Sequence, residues 1–128
     1  MDDPLSRRVI ACAFEVSNTL GAGFLESVYE KALCVELARQ QLNFEAQKSV
    51  PVSYKGVRVG NYVADIVVEN KLLLELKAVS VMDSVFEAQL MNYLKATGLT
   101  HGLLLNFGRP KLGIKRIIWN HNETSRKI

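Results

Sequence analysis

The chain has 128 residues, of which 48% are hydrophobic, and a formal net charge of +3. A chain of this size and apolar content can bury one core, so we expect a single domain over residues 3–119 and a polar tail over residues 120–128. No apolar run approaches the length of a membrane span, and the charged start lacks the pattern of a secretion signal. We therefore expect a cytoplasmic protein without a membrane partner. The mild positive charge permits a polyanionic partner without requiring one.

The first third of the chain predicts two helices. Asp3-Pro4 is a helix start, and an apolar stripe with helical spacing follows it as far as the connection Gly21-Ala22-Gly23. A second apolar stripe predicts a helix over Phe24–Gln41. Cys12 and Cys34 fall among apolar neighbours in these helices, without metal-ligand spacing. We expect both cysteines to be buried free thiols.

The rest of the chain predicts a three-stranded meander, a third helix and two further strands. Ser84 with Glu87 resembles a capping box, which would open the third helix, and Gly98 would end it. The order of helix, helix, three strands, helix and two strands predicts an α/β fold, with a mixed sheet covered by helices on both faces. The predicted strands are Phe44–Tyr54, a strand that returns through Lys55-Gly56 to Val68, Leu72–Ala78, Gly102–Asn106 and Lys115–Trp119.

Three charged residues, Asp65, Glu75 and Lys77, interrupt an otherwise apolar pair of predicted antiparallel strands. If Val68 pairs with Leu72, residues whose numbers sum to 140 lie opposite each other. Asp65 then faces Glu75, and Lys77 shares their side of the sheet. The same register predicts that the opposite face is wholly apolar or aromatic. That face would comprise Tyr62, Ala64, Ile66, Val68, Leu72, Leu74, Leu76 and Ala78.

This arrangement suggests a cation site. Two carboxylates about 5 Å apart repel each other by roughly 3 kcal/mol at an effective dielectric near 20, and a proton or a divalent cation offsets that penalty. Oxygen ligands favour Mg²⁺ or Mn²⁺. With a lysine nearby, such a cation could promote phosphodiester hydrolysis. The alternative is a hairpin with ordinary exposed charges, in which Lys77 only pairs with Glu75, although the apolar flanking sequence argues against a solvated face.

Two helical patterns add further candidate residues. Glu26 falls in the first turn of the second helix, three residues before Tyr29, but the helix dipole favours a carboxylate there regardless of function. Gln89 and Tyr93 are four residues apart on the third helix, where an amide and a phenol could orient a phosphate or a water. Alternatively, Tyr93 is a core residue whose hydroxyl bonds to Gln89.

Three motifs taken together resemble the GxxExxY protein family of the PD-(D/E)XK nuclease superfamily, and the resemblance extends from about Val9 to Trp119. It implies a restriction-endonuclease-like core with a nuclease site. The motifs are Gly23-x-x-Glu26-x-x-Tyr29, Asp65 followed by Glu75-x-Lys77, and Gln89-x-x-x-Tyr93-Leu94.

The resemblance also implies roles for individual residues. Asp65 and Glu75 would be metal ligands, the backbone carbonyl of Leu76 would complete the coordination, and Lys77 would position or activate water. The other residues implied to form the site are Glu26, Gln89 and Tyr93.

Two positions depart from the family pattern. Ala64 stands where the superfamily name expects proline, and Ser17 stands where many members carry histidine. The loss of that histidine bears on any mechanism that needs a histidine general base. We expect His101 to begin a strand and His121 to lie in the tail.

These patterns lead us to expect a Mg²⁺- or Mn²⁺-dependent nuclease that acts on DNA or RNA. The alternative is a non-catalytic module that retains the fold and binds nucleic acid or protein. Little of the chain remains outside the core to grip nucleic acid, and no basic-aromatic stripe is evident, although a homodimer could supply more surface. Four residues could line such an interface, follow a phosphate track, or guard a solvated strand edge. They are Lys111, Lys115, Arg116 and Trp119.

Overall fold

The computed structural model describes residues 3–120, and these form three helices and five strands in the predicted order. The predicted tail beyond Asn120, including His121, lies outside the described residues. None of the helices within residues 3–120 combines the length and apolarity needed to cross a membrane. The helices are α1 (Pro4–Leu20), α2 (Glu26–Arg39) and α3 (Ser84–Thr97). The strands are β1 (Phe44–Tyr54), β2 (Val57–Val68), β3 (Leu72–Lys77), β4 (His101–Asn106) and β5 (Gly113–Ile118).

The helix ends follow local capping chemistry. The Asp3 carboxylate accepts a hydrogen bond from the Ser6 backbone N–H at 2.9 Å and so caps α1, as predicted. The predicted capping box of α3 is wrong, because Asp83 rather than Ser84 caps that helix by accepting from the Val85 N–H. Gly98 ends α3 in the left-handed conformation, where glycine carries no steric penalty.

One mixed sheet forms the centre of the fold, with the strand order β1-β2-β3-β4-β5. β3 and β4 are parallel, and the other neighbouring strands are antiparallel. Between β2 and β3 the register is the predicted one, since Val68 pairs with Leu72 and Ile66 pairs with Leu74. His101 begins β4, as expected. β5 is an edge strand, and the exposed side chains of Lys115 and Arg116 lie on it.

Helices cover both faces of the sheet, which confirms the predicted architecture. On one face, α1 and α2 pack against apolar residues of β2, β3 and β4 such as Ile66, Leu74 and Leu105. On the other face, α3 packs through Leu90 and Leu94. Both cysteines are free thiols; Cys12 is buried and Cys34 is half-buried.

The predicted division of β2 into two faces is wrong at its centre. Tyr62 and Ala64 pack on the α3 face together with Val67, whereas Ile66 packs on the other face. Alternation is therefore interrupted at Asp65. The ladder to β3 also stops at Ile66, and Gln47, opposite Asp65 in β1, has a left-handed φ of 54°. A strand that bends there leaves room beside β3 for polar side chains.

Candidate active site

Asp65 and Glu75 lie where β2 and β3 separate, and the Asp65 carboxylate takes the place of a partner in the strand ladder. The Asp65 Oδ2 atom accepts a hydrogen bond from the Leu76 backbone N–H at 2.8 Å. Because the N–H and C=O of one strand residue point toward the same neighbouring strand, the Leu76 carbonyl also faces β2. The next carbonyl, that of Lys77, instead accepts from the Phe107 N–H at 2.8 Å, on the side of β4.

Glu75 is the most deeply buried carboxylate of this group, with 8% of its surface exposed. Its carboxylate accepts a hydrogen bond from the Tyr62 hydroxyl. Burial raises the pKa of Glu75 to about 7, although the Asp65 backbone N–H and the Lys77 charge both act to lower it. Near neutral pH this side chain is therefore poised between its neutral and charged forms.

Two glutamates of α2 face Asp65 from the other side. Glu26 and Glu30 are four residues apart, so they project from the same side of the helix. Burial raises the pKa of both carboxyl groups, and repulsion from Asp65 raises each of them further. The pKa of Asp65 is itself raised by burial, despite its bonds to Leu76 and to the Gln47 side chain. Burial and mutual repulsion thus both disfavour the charged forms of these carboxyl groups.

Lys77 lies at the positive end of this group. Its charge lowers the pKa of Glu26, Asp65 and Glu75, so the ammonium is close enough to act on all three carboxylates. The Nζ atom lies 4.5 Å from the centroid of the Phe86 ring, a cation–π contact with α3. No ion pair joins Lys77 to Glu75 within residues 3–120. The simple pairing of these two side chains is therefore not what the structure contains.

Of the two candidates on α3, the structure brings Tyr93 to the carboxylates. The Tyr93 ring stacks on Tyr62 with 3.4 Å between centroids, and burial followed by the charges of Glu75 and Asp65 raises the Tyr93 pKa. Gln89 is exposed, and no hydrogen bond among residues 3–120 ties its side chain to the carboxylates or to Tyr93. The alternative of a Gln89–Tyr93 bond is thus absent from the described part of the chain.

Three residues of this site were not predicted from the sequence: Glu30, Gln47 and Tyr62. The spacing of Glu30 from Glu26 was the available signal, because residues four apart share a helix face. Gln47 donates a hydrogen bond to Glu30 at 2.7 Å and reaches Asp65 as well, which its left-handed backbone in the middle of β1 permits. Tyr62 was assigned to the wrong face by strict alternation.

Tyr29 of the first motif and Ser17 of α1 have structural contacts. Tyr29 is fully buried, and its hydroxyl donates to the Gly21 carbonyl at 2.5 Å while accepting from the Phe24 N–H. It therefore fixes the connection that leads into α2 and to Glu26. Ser17 is also buried, and its backbone carbonyl accepts from the Gly21 N–H at the end of α1.

The donor set is chemically suited to a divalent cation but is not assembled around one. Carboxylates that repel one another, with pKa values raised by burial, favour neutralisation by a hard cation. Even so, within residues 3–120 no three acidic, histidine or cysteine side chains converge as a metal-binding group. The bonds from Leu76 to Asp65 and from Tyr62 to Glu75 hold these two carboxylates in their present positions.

A cavity of about 610 Å³ lies at the opposite end of the sheet, between the start of α1 and the start of β4. Its lining is mainly apolar and includes a single carboxylate, that of Asp3. That carboxylate already caps α1, and the Ser6 backbone N–H holds its pKa below the usual value. The carboxylate group beside Lys77 is accordingly the better candidate for a reactive site.

Comparison with known proteins gives a family for the chain and a similar fold. No curated protein matches the chain. Among solved structures, the crystal structure of SSO0001 is similar, with a TM-score of 0.61 and 18% sequence identity over 78% of this chain and 53% of that one. The chain thus spans about half the length of that protein, and the likeness shows a shared fold. A model of the PD-(D/E)XK nuclease superfamily matches residues 3–117, and the chain belongs to that superfamily.

Proposed function

We propose that this protein is a divalent-cation-dependent nuclease that hydrolyses phosphodiester bonds of DNA or RNA. The observation that carries the proposal is the buried Glu75, with a pKa near 7, beside Asp65 and Lys77 in a chain of the PD-(D/E)XK nuclease superfamily. A buried acid with a strongly shifted pKa and a specific charged neighbour is a frequent mark of a reactive site.

In this proposal, Asp65, Glu75 and the Leu76 carbonyl hold Mg²⁺ or Mn²⁺. When bound, the cation supplies Lewis-acid polarisation of a phosphoryl oxygen and makes water more acidic. Its binding requires the charged form of Glu75, so affinity should increase as the pH rises through 7. The oxygen donors alone do not discriminate between Mg²⁺ and Mn²⁺.

The protein's own side chains have distinct parts in the reaction. The Lys77 ammonium offsets negative charge that develops on the phosphoryl group and orients the attacking water. The Tyr62 hydroxyl orients the Glu75 carboxylate. Glu26 is the acidic side chain that α2 contributes to the site. Tyr93 lines the α3 side of the site, and the exposed Gln89 would reach the substrate only from outside the carboxylate group.

A non-catalytic module that binds nucleic acid or protein is the second candidate. Its support is that Asp65 and Glu75 already serve as acceptors for Leu76 and Tyr62, a structural use of both acids. Carboxylates engaged in this way could hold the splayed strands together without any cation.

The deciding experiment measures cleavage of labelled single-stranded, duplex, branched and RNA substrates with Mg²⁺ or Mn²⁺. Wild type is compared with Asp65→Asn and Lys77→Ala, and Glu15→Gln on the exposed side of α1 serves as the matched control. Loss of cleavage in the two site variants alone supports the nuclease. Equal cleavage by all four proteins would contradict it, and binding without any cleavage would favour the second candidate.

A further inference from the structure

The outer part of the β1–β2 hairpin stands apart from the rest of the sheet. β1 and β2 pair as far as Tyr54 and Val57, whereas the ladder from β2 to β3 covers only Ile66 to Val68. Every residue from 53 to 61 is exposed. The base of the hairpin is fixed, because Tyr62 and Ala64 pack with the residues beneath α3. The tip therefore projects from a rigid base.

All charged side chains of the hairpin between residues 46 and 64 are positive. Residues 46–64 contain Lys48, Lys55 and Arg58 and no acidic residue, so the segment carries as much positive charge as the net charge of the whole chain. Lys48 is paired with Glu45 at 3.2 Å. Lys55 and Arg58 remain at the tip, where Arg58 donates a hydrogen bond to the side chain of Asn61 on the same strand at 2.9 Å.

The tip also carries an aromatic side chain. Tyr54 is 62% exposed, and the Lys55 Nζ atom lies 5.4 Å from its ring centroid. Lys55 and Gly56 both have positive φ values, which form the tight turn that places these two side chains at the end of the hairpin. One aromatic ring and one cation therefore lie side by side at the end of the hairpin, although the sequence shows no longer basic-aromatic stripe.

The hairpin begins at the acidic site. Tyr62, which contacts Glu75, is five residues from Val57 on the same strand, so the tip lies about 17 Å from the carboxylates along β2. That reach equals roughly five nucleotides at 3.4 Å each. A polyanion approaching the acidic group is repelled by it, and a basic element at this distance offsets the repulsion.

We infer that the hairpin tip, residues 53–61, binds the phosphate backbone of nucleic acid beside the acidic site, with Lys55 and Arg58 as the phosphate contacts. This inference rests on the proposed function for the class of partner. A two-stranded ribbon has dimensions that the major groove of a duplex admits. The exposed Tyr54 ring gives single strands a stacking surface instead. Both substrates share the phosphate chemistry that the two cations recognise.

The test measures binding of fluorescent duplex and single-stranded oligonucleotides by anisotropy in EDTA, across a salt series. Lys55→Ala/Arg58→Ala should bind roughly tenfold more weakly at low salt, and the slope of log affinity against log salt should fall by about 2. Arg39→Ala/Lys71→Ala is the matched control, because it removes the same charge from exposed positions outside the hairpin. The substrate that shows the larger change identifies whether the hairpin holds a duplex or a single strand.

Unchanged affinity and slope in Lys55→Ala/Arg58→Ala would overturn the inference, as would equal losses in the control or no binding by wild type at low salt. Thermal unfolding of each variant checks that the fold is intact. The result is independent of cleavage, which EDTA blocks. If Asp65→Asn abolishes cleavage while Lys55→Ala/Arg58→Ala binds normally, the proposed nuclease activity is supported and the hairpin inference fails. If Asp65→Asn leaves cleavage unchanged while Lys55→Ala/Arg58→Ala binds more weakly, the hairpin inference is supported and the proposed nuclease site fails.

Discussion

Tyr29 and Tyr62 lie on opposite faces of the same sheet, and each stacks on a second aromatic ring. Tyr29 stacks on Phe107 with 4.9 Å between centroids, and its hydroxyl bonds only to backbone groups of the α1–α2 connection. Tyr62 stacks on Tyr93, but its hydroxyl bonds to the carboxylate of Glu75. The two tyrosine rings therefore pack in a similar way, but their hydroxyl groups have different partners. The Tyr29 hydroxyl bonds to uncharged backbone groups, and the Tyr62 hydroxyl bonds to a titratable carboxylate.

The largest expected loss of stability concerns the residue that ties the end of β4 to the segment after β3. Asn106 is 1% exposed, and its side chain bonds to the N–H and carbonyl of Val79 and to the N–H of Gly108. Gly108 lies so close to Ala78 and Val79 that a Cβ atom would overlap their backbones. Asn106→Ala leaves three backbone groups without partners, so we expect a loss of about 3 kcal/mol or more in the free energy of unfolding.

Urea unfolding measures this loss, with Asn92→Ala as the control because Asn92 is exposed on α3. The control should change stability by about 0.5 kcal/mol or less. A loss of stability in Asn106→Ala no greater than that of the control would show that the hydrogen bonds of the Asn106 side chain contribute little to stability. A large loss of stability accompanied by weaker cleavage would show that both faces of the sheet depend on the contacts of Asn106 with the segment after β3.

The second prediction concerns the pH dependence of stability that Glu75, the partner of the Tyr62 hydroxyl, should cause. The pKa of Glu75 is raised from 4.5 to about 7, so this group contributes stability below pH 4.5 and loses that contribution as the pH rises through 7. At 1.36 kcal/mol per pKa unit, the change is about 3 kcal/mol. Glu75→Gln cannot titrate, so the stability of wild type relative to this variant should fall by that amount between pH 4.5 and 8.

Urea unfolding at several pH values tests the sign directly. A wild-type advantage that grows with pH would contradict the buried, hydrogen-bonded environment of Glu75. Mg²⁺ or Mn²⁺ adds a second reading, because a cation that binds the folded site should stabilise wild type at pH 8 and should stabilise Glu75→Gln less. Glu15→Gln, outside the site, should keep the wild-type response.

Most of the fold was predictable because its signals are local. The apolar stripes of α1 and α2, the Lys55-Gly56 turn and the register from Val68 to Leu72 each depend on residues close together in the sequence. The bend at Asp65 was not predictable from alternation, since it depends on packing against α3 and on the left-handed backbone of Gln47. Tyr62 consequently moves to the face that was expected to hold the charges together with Val63, Val67 and Leu73.

The candidate site shows the same limit. Asp65, Glu75 and Lys77 follow from strand geometry, and the family resemblance adds Glu26 and Tyr93. Helical spacing places Glu30 on the same side of α2 as Glu26, but its bond to Gln47 comes from tertiary packing of α2 against β1, which no short motif describes. The exposed hairpin tip was missed for a related reason, because the sequence does not show that β3 pairs with only the last residues of β2.

The smallest expected change in stability gives the sharpest test of the comparison between the two tyrosines. Tyr29→Phe removes two buried hydrogen bonds to backbone groups, so we expect a loss of about 2 kcal/mol with cleavage per folded molecule unchanged. Tyr62→Phe removes a bond at a half-buried position, and the loss should be below about 1 kcal/mol. Because that bond orients a proposed metal ligand, cation affinity and cleavage should fall roughly 10- to 100-fold. Calorimetric titration of Mn²⁺ and cleavage rates separate the two variants, and a Tyr62→Phe protein with wild-type Mn²⁺ affinity would show that the two hydroxyls have the same structural purpose.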